Sequence, residues 1–295
     1  MLTRIISGAV GVLLLAVVLY FHNTMVLPIA VAVIIAIMLY ELLKAVKMNK
    51  CIPILIASEF YGIVMPFIHD TFDVGNVYYK GGSGLPSSGP EIIPNGLAFI
   101  ISFVITLLCA FIIFVTWLKK HKEIRYEQIF FVLAVMVLVP QAMSTMILIH
   151  NSDSNDGLFL LIMALCGAWI ADTGAYFTGV ALGKHKLCPE ISPKKTIEGF
   201  IGGILTTSIV YAVAFCVRSG GFNVVRTALI GFVMGAVCAV IGTVGDLSAS
   251  MVKRQIGFKD YGNIMPGHGG LMDRFDSVLF VLPTFYAFMA IISKI

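Results

Sequence analysis

Charged side chains are scarce in this chain: Asp, Glu, Lys and Arg make up 12% of 295 residues, against about 25% in an ordinary soluble domain. That shortage excludes a soluble fold with a normally solvated surface. Paired cysteines are missing as well. Cys51, Cys109, Cys166, Cys188, Cys216 and Cys238 stand singly, and without a Cys-x-x-Cys motif neither a zinc site nor a redox centre is indicated; they read as packing residues. There is no repeat of about 20 to 50 residues and no soluble domain. The flank Tyr20 to Thr24 lacks the small-residue pattern of a cleavage site, so the first apolar stretch is expected to be a retained span.

What the chain does have is hydrophobic length. Apolar residues account for 59% of positions and fall in blocks of about 17 to 25, enough for a helix to cross a hydrocarbon layer about 30 Å thick. The expected fold is an all-α, polytopic membrane bundle of about nine spans, placed at 5–21, 25–43, 52–68, 96–118, 128–149, 158–182, 198–217, 226–249 and 275–292. Glu59 and Pro66 interrupt the third.

Nine spans put the termini on opposite sides, and the distribution of basic residues tests the count. With the N-terminus cytoplasmic, the inner segments hold Arg4; Lys44, Lys47 and Lys50; Lys119, Lys120, Lys122 and Arg125; Lys184, Lys186, Lys194 and Lys195; and Lys253, Arg254, Lys259 and Arg274. That is 16 of the 20 Lys and Arg, leaving Lys80, Arg218, Arg226 and Lys294 outside. A miscount by one helix would scramble this asymmetry. The outer segments 69–95, rich in Gly, Pro and Ser, and 150–157, with Asp153 and Asp156, read as solvated connectors. Any reaction is therefore expected within the bundle or at its cytoplasmic face.

Composition changes partway along the chain. The first five spans are mainly Leu, Ile, Val, Phe and Met, whereas Gly167, Ala171, Ala175, Gly179 and Gly183 recur at i, i+4 in the sixth, and Gly231, Gly235, Ala239 and Thr243 in the eighth. Such stripes let helix backbones approach closely in lipid. The expected division is a scaffold over 1–157 and a catalytic part over 158–295.

Asp172 lies inside the sixth span and Asp246 near the cytoplasmic end of the eighth, where a charge costs about 2.5 to 3.5 kcal/mol on insertion scales. Something must compensate each of them, by function or by a structural partner. Glu41 is a weaker case, because Lys44 follows within a turn and both can reach the interface. Ser250 and Lys253 extend the Asp246 face of the helix, so carboxylate, hydroxyl and ammonium share one stripe. Beyond come Lys253-Arg254, Lys259-Asp260, Pro266-Gly267-His268-Gly269-Gly270 and Asp273-Arg274-Phe275-Asp276. The loop before the seventh helix is similarly basic, with Lys184, His185 and Lys186 followed by Ser192-Pro193-Lys194-Lys195-Thr196. Ser192 to Thr196 are expected to open that helix, offering backbone N–H groups to an anion.

Lysines alone could be topogenic or could attract anionic lipid, but that leaves the acids between them unexplained. Carboxylates, basic residues and glycines together point to polyphosphate: carboxylates hold Mg²⁺, the cation bridges phosphate oxygens, and Lys and Arg offset the remaining charge. Asp246 and Asp273 are the leading metal candidates, with Asp172 and Asp276 as further ones. For Asp276, pairing with Arg274 or capping the last helix are equal alternatives. His268 reads as a phosphate donor or loop organiser, since a phosphate monoester with a second pKa of about 6 needs no base to become a nucleophile.

At this point the chain resembles the phosphatidate cytidylyltransferases, also called CDP-diacylglycerol synthases. The likeness rests on Ser250-Met251-Val252-Lys253-Arg254, Lys259-Asp260, Gly262, Pro266 and His268-Gly269-Gly270-Leu271-Met272-Asp273-Arg274-Phe275-Asp276. Met265 departs from the family's Leu, Ile or Phe by a volume-conserving apolar swap. With Asp172 and the Ser192 to Thr196 segment, the likeness spans roughly residues 165–280. It implies the reaction CTP plus phosphatidate giving CDP-diacylglycerol plus pyrophosphate, a divalent metal, a metal pair near the membrane surface and a homodimer. By the same resemblance Asp246, Asp273, Lys253, Arg254 and Arg274 are expected to be catalytic. Lys184, Ser192, Lys194, Lys195, Thr196, Ser250, Lys259, His268, Gly269 and Gly270 are expected to bind substrate.

The expected partners are CTP, phosphatidate and membrane lipid, not nucleic acid. The expected location is a bacterial cytoplasmic membrane, with the site on its cytoplasmic side. Two rivals remain at this level. A secondary transporter would use Asp172 and Asp246 for proton or cation transfer, but it would leave residues 253–276 without a purpose. Another CTP-dependent lipid enzyme, a polyprenol kinase or an ether-lipid CDP synthase, would differ in its substrate pocket.

Overall fold

The structure is a computed structural model that describes residues 2–72, 96–152, 156–220, 223–267 and 269–292. The connector 73–95 with Lys80, residues Asp153 and Lys294, and His268 lie outside the described residues. In chain order the elements are α1 (Leu2–Tyr20), α2 (Val26–Ala45), α3 (Ile52–Phe72), α4 (Leu97–Lys119), α5 (Tyr126–Asn151), α6 (Gly157–Leu182), β1 (Lys186–Cys188), β2 (Ser192–Thr196), α7 (Ile197–Arg218), α8 (Val224–Ile256), α9 (Met272–Phe275) and α10 (Val278–Ile292). Among the described residues eight helices are long and apolar enough to cross a membrane, counting Met272–Ile292 as one; Ile6–Tyr20 is a shorter apolar helix where the first span is expected. The chain is an all-α polytopic membrane protein.

Close Cα neighbours gather into two units, Met1–Leu158 with Tyr261–Met272, and Phe159–Asp260 with Asp273–Ile295. The twelve residues 261–272 thus group with the N-terminal helices although both chain flanks belong to the other unit.

In the first unit α3 is central, packed by α2, α4 and α5. Pro66 does not interrupt it: the helix runs unbroken from Ile52 to Phe72 and buries the proline ring. The ring still removes one N–H, the donor to Gly62. At Gly62 a Cβ would lie 2.6 Å from Leu39 Cδ1 and 2.8 Å from Ile35 Cγ2, so α2 rests directly on the α3 backbone. Tyr61, Ile54, Met65, Ile113 and Val132 form the fully buried centre. The Tyr61 hydroxyl accepts from Gln141 Nε2 at 3.0 Å and from Thr106 Oγ1 at 3.1 Å. Lipid cannot satisfy a polar atom, which is why this buried hydroxyl has protein partners.

In the second unit α7 packs on both α6 and α8. Its Gly199 and Gly203 face α6, where a Cβ on either would lie 2.7 Å from the carbonyl oxygen of Ala175 or Ala171. Its other side meets the α8 stripe, with a Cβ on Gly235 falling 2.8 Å from Ser208 Cα. The two small-residue stripes expected from sequence therefore both pack on α7, and small residues substitute for the hydrophobic drive that lipid does not supply. Further along α8, a Cβ on Gly245 would meet the Phe280 ring at 2.8 Å and Asp276 O at 3.0 Å, so the following residue, Asp246, is carried in beside the start of α10.

Candidate active site

The site is built on α8. At 33 residues this helix is about 50 Å long, more than a hydrocarbon core of about 30 Å can cover. Counted from Val224, about 20 residues cross the core, which puts Asp246 at the far membrane edge and the last turns outside. Ser250 Oγ donates to Asp246 Oδ1 at 3.5 Å, one turn later on the same face, as the sequence stripe requires.

Ser192 to Thr196 form a structure different from the expected one. Rather than opening α7, they are strand β2 of an antiparallel hairpin with β1, paired Lys186 to Thr196 and Cys188 to Ser192. Thr196 is the N-cap of α7, its Oγ1 accepting from Gly199 N at 3.1 Å. The physical reason is the cap itself: with Thr196 extended and its side chain occupied, the residues before it cannot be helical. Glu198 pins the hairpin's entry by accepting from the backbone N–H groups of Lys184 at 3.1 Å and His185 at 3.2 Å. The hairpin delivers Lys195, whose Nζ pairs with Asp246 Oδ2, both side chains being 24% exposed.

A second pair is more enclosed. Lys253 Nζ donates to Asp273 Oδ1 at 2.7 Å, with side chains only 11% and 3% exposed. It joins the last turn of α8 to α9. Asp276 is buried and its Oδ1 accepts from Ser277 N at 2.7 Å. Its charge interacts with those of Asp246, Lys253 and Asp172, and Asp172 interacts in turn with Lys195, Asp246 and Arg274. Asp172, Asp246 and Asp276 therefore share one electrostatic neighbourhood with Lys195, Lys253 and Arg274. The two leading metal candidates are each engaged by a lysine of their own, Asp246 by Lys195 and Asp273 by Lys253.

Of the remaining expected residues, Lys184, Lys194, Arg254, Lys259 and Arg274 are exposed and Ser192 is half-buried. Arg254 Nε points to Ile191 O at 3.5 Å, back toward the hairpin. In the first unit, Gly269 pairs with Met265 by two backbone hydrogen bonds of 3.0 and 3.2 Å. Gly267 and Gly269 take φ of 79° and 90°, a conformation that side chains with a Cβ strongly disfavour. Gly270 is buried against the carboxylate of Glu41.

Glu41 is the residue that sequence reasoning undervalued. It does not reach the interface beside Lys44: it is 2% exposed, and its carboxylate accepts from Leu271 N at 3.1 Å and Met272 N at 2.9 Å. The only sequence signal was an acid inside an apolar span, and no periodicity links it to a loop 230 residues away.

The donor chemistry suits Mg²⁺, which prefers carboxylate oxygens, keeps several waters and is commonly held by one or two carboxylates together with substrate phosphates. Among the described residues no group of three or more His, Cys, Asp or Glu is arranged to hold a metal. The protein would thus contribute one or two carboxylates from the cluster and leave the other positions to phosphate and water.

The profile of the cytidylyltransferase family matches residues 2–292. The chain belongs to the cytidylyltransferase family. Among its relatives, the phosphatidate cytidylyltransferase of Bacillus subtilis is 37% identical over 191 residues, 65% of this chain and 67% of that protein. The phosphatidate cytidylyltransferases of Staphylococcus aureus and Staphylococcus haemolyticus are 48% identical over 130 residues and 46% identical over 129. Each staphylococcal match takes in 44% of this chain and 48% of the relative; the chain spans about half the length of these relatives.

Proposed function

We propose that this cytidylyltransferase is a phosphatidate cytidylyltransferase, converting CTP and phosphatidate to CDP-diacylglycerol and pyrophosphate in phospholipid synthesis. The observation that carries the reading is the Asp172, Asp246 and Asp276 neighbourhood interleaved with Lys195, Lys253 and Arg274 at the edge of α8. The activity for which its bacterial relatives are named supports the same reading. A carboxylate cluster alone would repel both substrates; the lysines make it a place where anionic oxygens can settle.

In the proposed reaction an oxygen of the lipid phosphate attacks the α-phosphorus of CTP. The new P–O bond forms as the bond to the β-phosphate oxygen breaks, and pyrophosphate leaves with the electron pair. Lys195 and Lys253 hold negative oxygens and exchange their carboxylate partners for phosphate as substrate enters, while exposed Arg254, Arg274, Lys194 and Lys259 draw in the nucleotide. Ser192, Thr196, Ser250 and Lys184 complete the binding set. One or two of the carboxylates of Asp246, Asp273, Asp172 and Asp276 would hold Mg²⁺, which supplies charge neutralisation at the α-phosphate of CTP, and the remaining ones leave room for a second cation.

The proposal includes a cytoplasmic position for this face and for the N-terminus, which the asymmetric distribution of Lys and Arg supports, in a bacterial cytoplasmic membrane, and a homodimeric protein. The test is release of pyrophosphate from CTP by purified protein in detergent. Release that requires phosphatidate and Mg²⁺, and that Asp246→Asn abolishes in folded protein, supports the assignment. Release without lipid, or none at all, refutes it.

A further inference from the structure

We propose that Glu41 is a positioning residue for this reaction: a carboxylate of the N-terminal helices that fixes the backbone of the glycine loop immediately before Asp273. The inference rests on the cytidylyltransferase reading of the site. Glu41 is buried on α2, and its two oxygens are divided between successive amides, Oε1 accepting from Leu271 N at 3.1 Å and Oε2 from Met272 N at 2.9 Å. The next residue in the chain is Asp273, whose carboxylate meets Lys253. Two charge-assisted bonds to consecutive N–H groups define the direction of the peptide that enters Asp273, not merely its location.

The glycines of the loop are shaped to the same carboxylate. A Cβ on Gly270 would lie 2.5 to 2.7 Å from its oxygens and Cδ, and a Cβ on Gly262 would lie 2.6 Å from Cδ and 3.0 Å from Cγ. Both glycines therefore leave room for Glu41 itself. The loop is also tied at its tip, where Ser7 Oγ donates to Pro266 O at 3.0 Å and Met265 bridges Gly269. A carboxylate in an apolar span is costly, so its occurrence here calls for a return. Orientation of a group that takes part in phosphoryl transfer is such a return, since a displacement of about 1 Å can cost about a hundredfold in rate.

Glu41→Gln keeps the shape but sets an amide N–H₂ against one of the two backbone donors. The expected outcome in the full-length protein is a kcat reduced about tenfold to a hundredfold, with KM for CTP and for phosphatidate within about threefold because binding groups are retained. Hydrogen exchange at 271 and 272 should quicken about tenfold or more. Gly262→Ala, which crowds the carboxylate from the loop side, should produce the same two changes, and combining the substitutions should add little beyond either alone. Unchanged exchange in either variant, unchanged kcat with quickened exchange, or a loss confined to KM would each overturn the proposal. Should Glu41→Gln fail to fold, Gly262→Ala is read by the same two measurements, and the same results in it would overturn the proposal. Hydrogen exchange needs no turnover, so an inactive wild-type protein would count against the reaction, whereas exchange unaffected in both variants would count against Glu41.

Discussion

Replacing Asp273 by Asn removes one charge from a pair that water scarcely reaches. The two side chains are 11% and 3% exposed and the contact is 2.7 Å. At an effective dielectric of about 20, unit charges at that distance attract by about 6 kcal/mol. Much of this is spent on desolvating both ions, so the pair as a whole adds little, but removing one partner costs about 3 to 5 kcal/mol because the other stays enclosed without its nearest counter-charge. An exposed pair would be worth only about 0 to 1 kcal/mol. The assay is equilibrium unfolding in mixed micelles of a mild detergent and a denaturing one, with helicity as the readout. Asp273→Asn should lose about 3 to 5 kcal/mol, Lys253→Met about as much, and the double variant should lose clearly less than the sum. A loss under about 1 kcal/mol for the single variants, or simple additivity in the double one, would refute the enclosed pair.

Two further predictions concern the scaffold. Gly203→Ala would place a Cβ 2.7 Å from Ala171 O and 3.2 Å from Ala175 Cβ, forcing α6 and α7 apart at about 1 to 3 kcal/mol; thermal unfolding in detergent should register the loss, and an unchanged midpoint would contradict the close packing. His22, outside the spans, sits with Nδ1 2.6 Å from His150 Nε2, and burial, then the charge of His150, hold its pKa below the usual 6.5. The folded protein therefore binds fewer protons than the unfolded chain in that range, so this contribution is full above pH 6.5 and declines as pH falls through that value toward the lowered one. Unfolding midpoints measured from neutral to acidic pH should fall less steeply in His22→Gln, and equal slopes would remove His22 from the account.

Much of the fold was legible because lipid imposes one rule, that backbone groups be satisfied within each span, and apolar length reports it directly. The small-residue stripes of α6 and α8 were readable for a related reason: close helix approach leaves an i, i+4 trace. Ser250 and Lys253 follow Asp246 on one helix face, so their grouping could be read from periodicity alone. Pro66 misled, since a proline that breaks a helix in water can be buried in one that packing holds together. The β1–β2 hairpin was hidden because Ser192 to Thr196 carry the composition of a helix start, and only the cap at Thr196 fixes where α7 begins. Lys195 as the partner of Asp246, Lys253 as that of Asp273, and Glu41 beneath the glycine loop are long-range pairings. Each depends on how helices are placed, and no local pattern encodes it.

The fate of individual phosphorus atoms bears most directly on the central claim that this cluster of acids and lysines joins a nucleotide to a lipid phosphate. Purified protein would be supplied with phosphatidate, Mg²⁺ and CTP labelled at either the α- or the γ-phosphorus, and the label followed into lipid. The account predicts lipid label from the α position alone, with the γ label leaving as pyrophosphate. Label reaching lipid from the γ position would identify a kinase and contradict it.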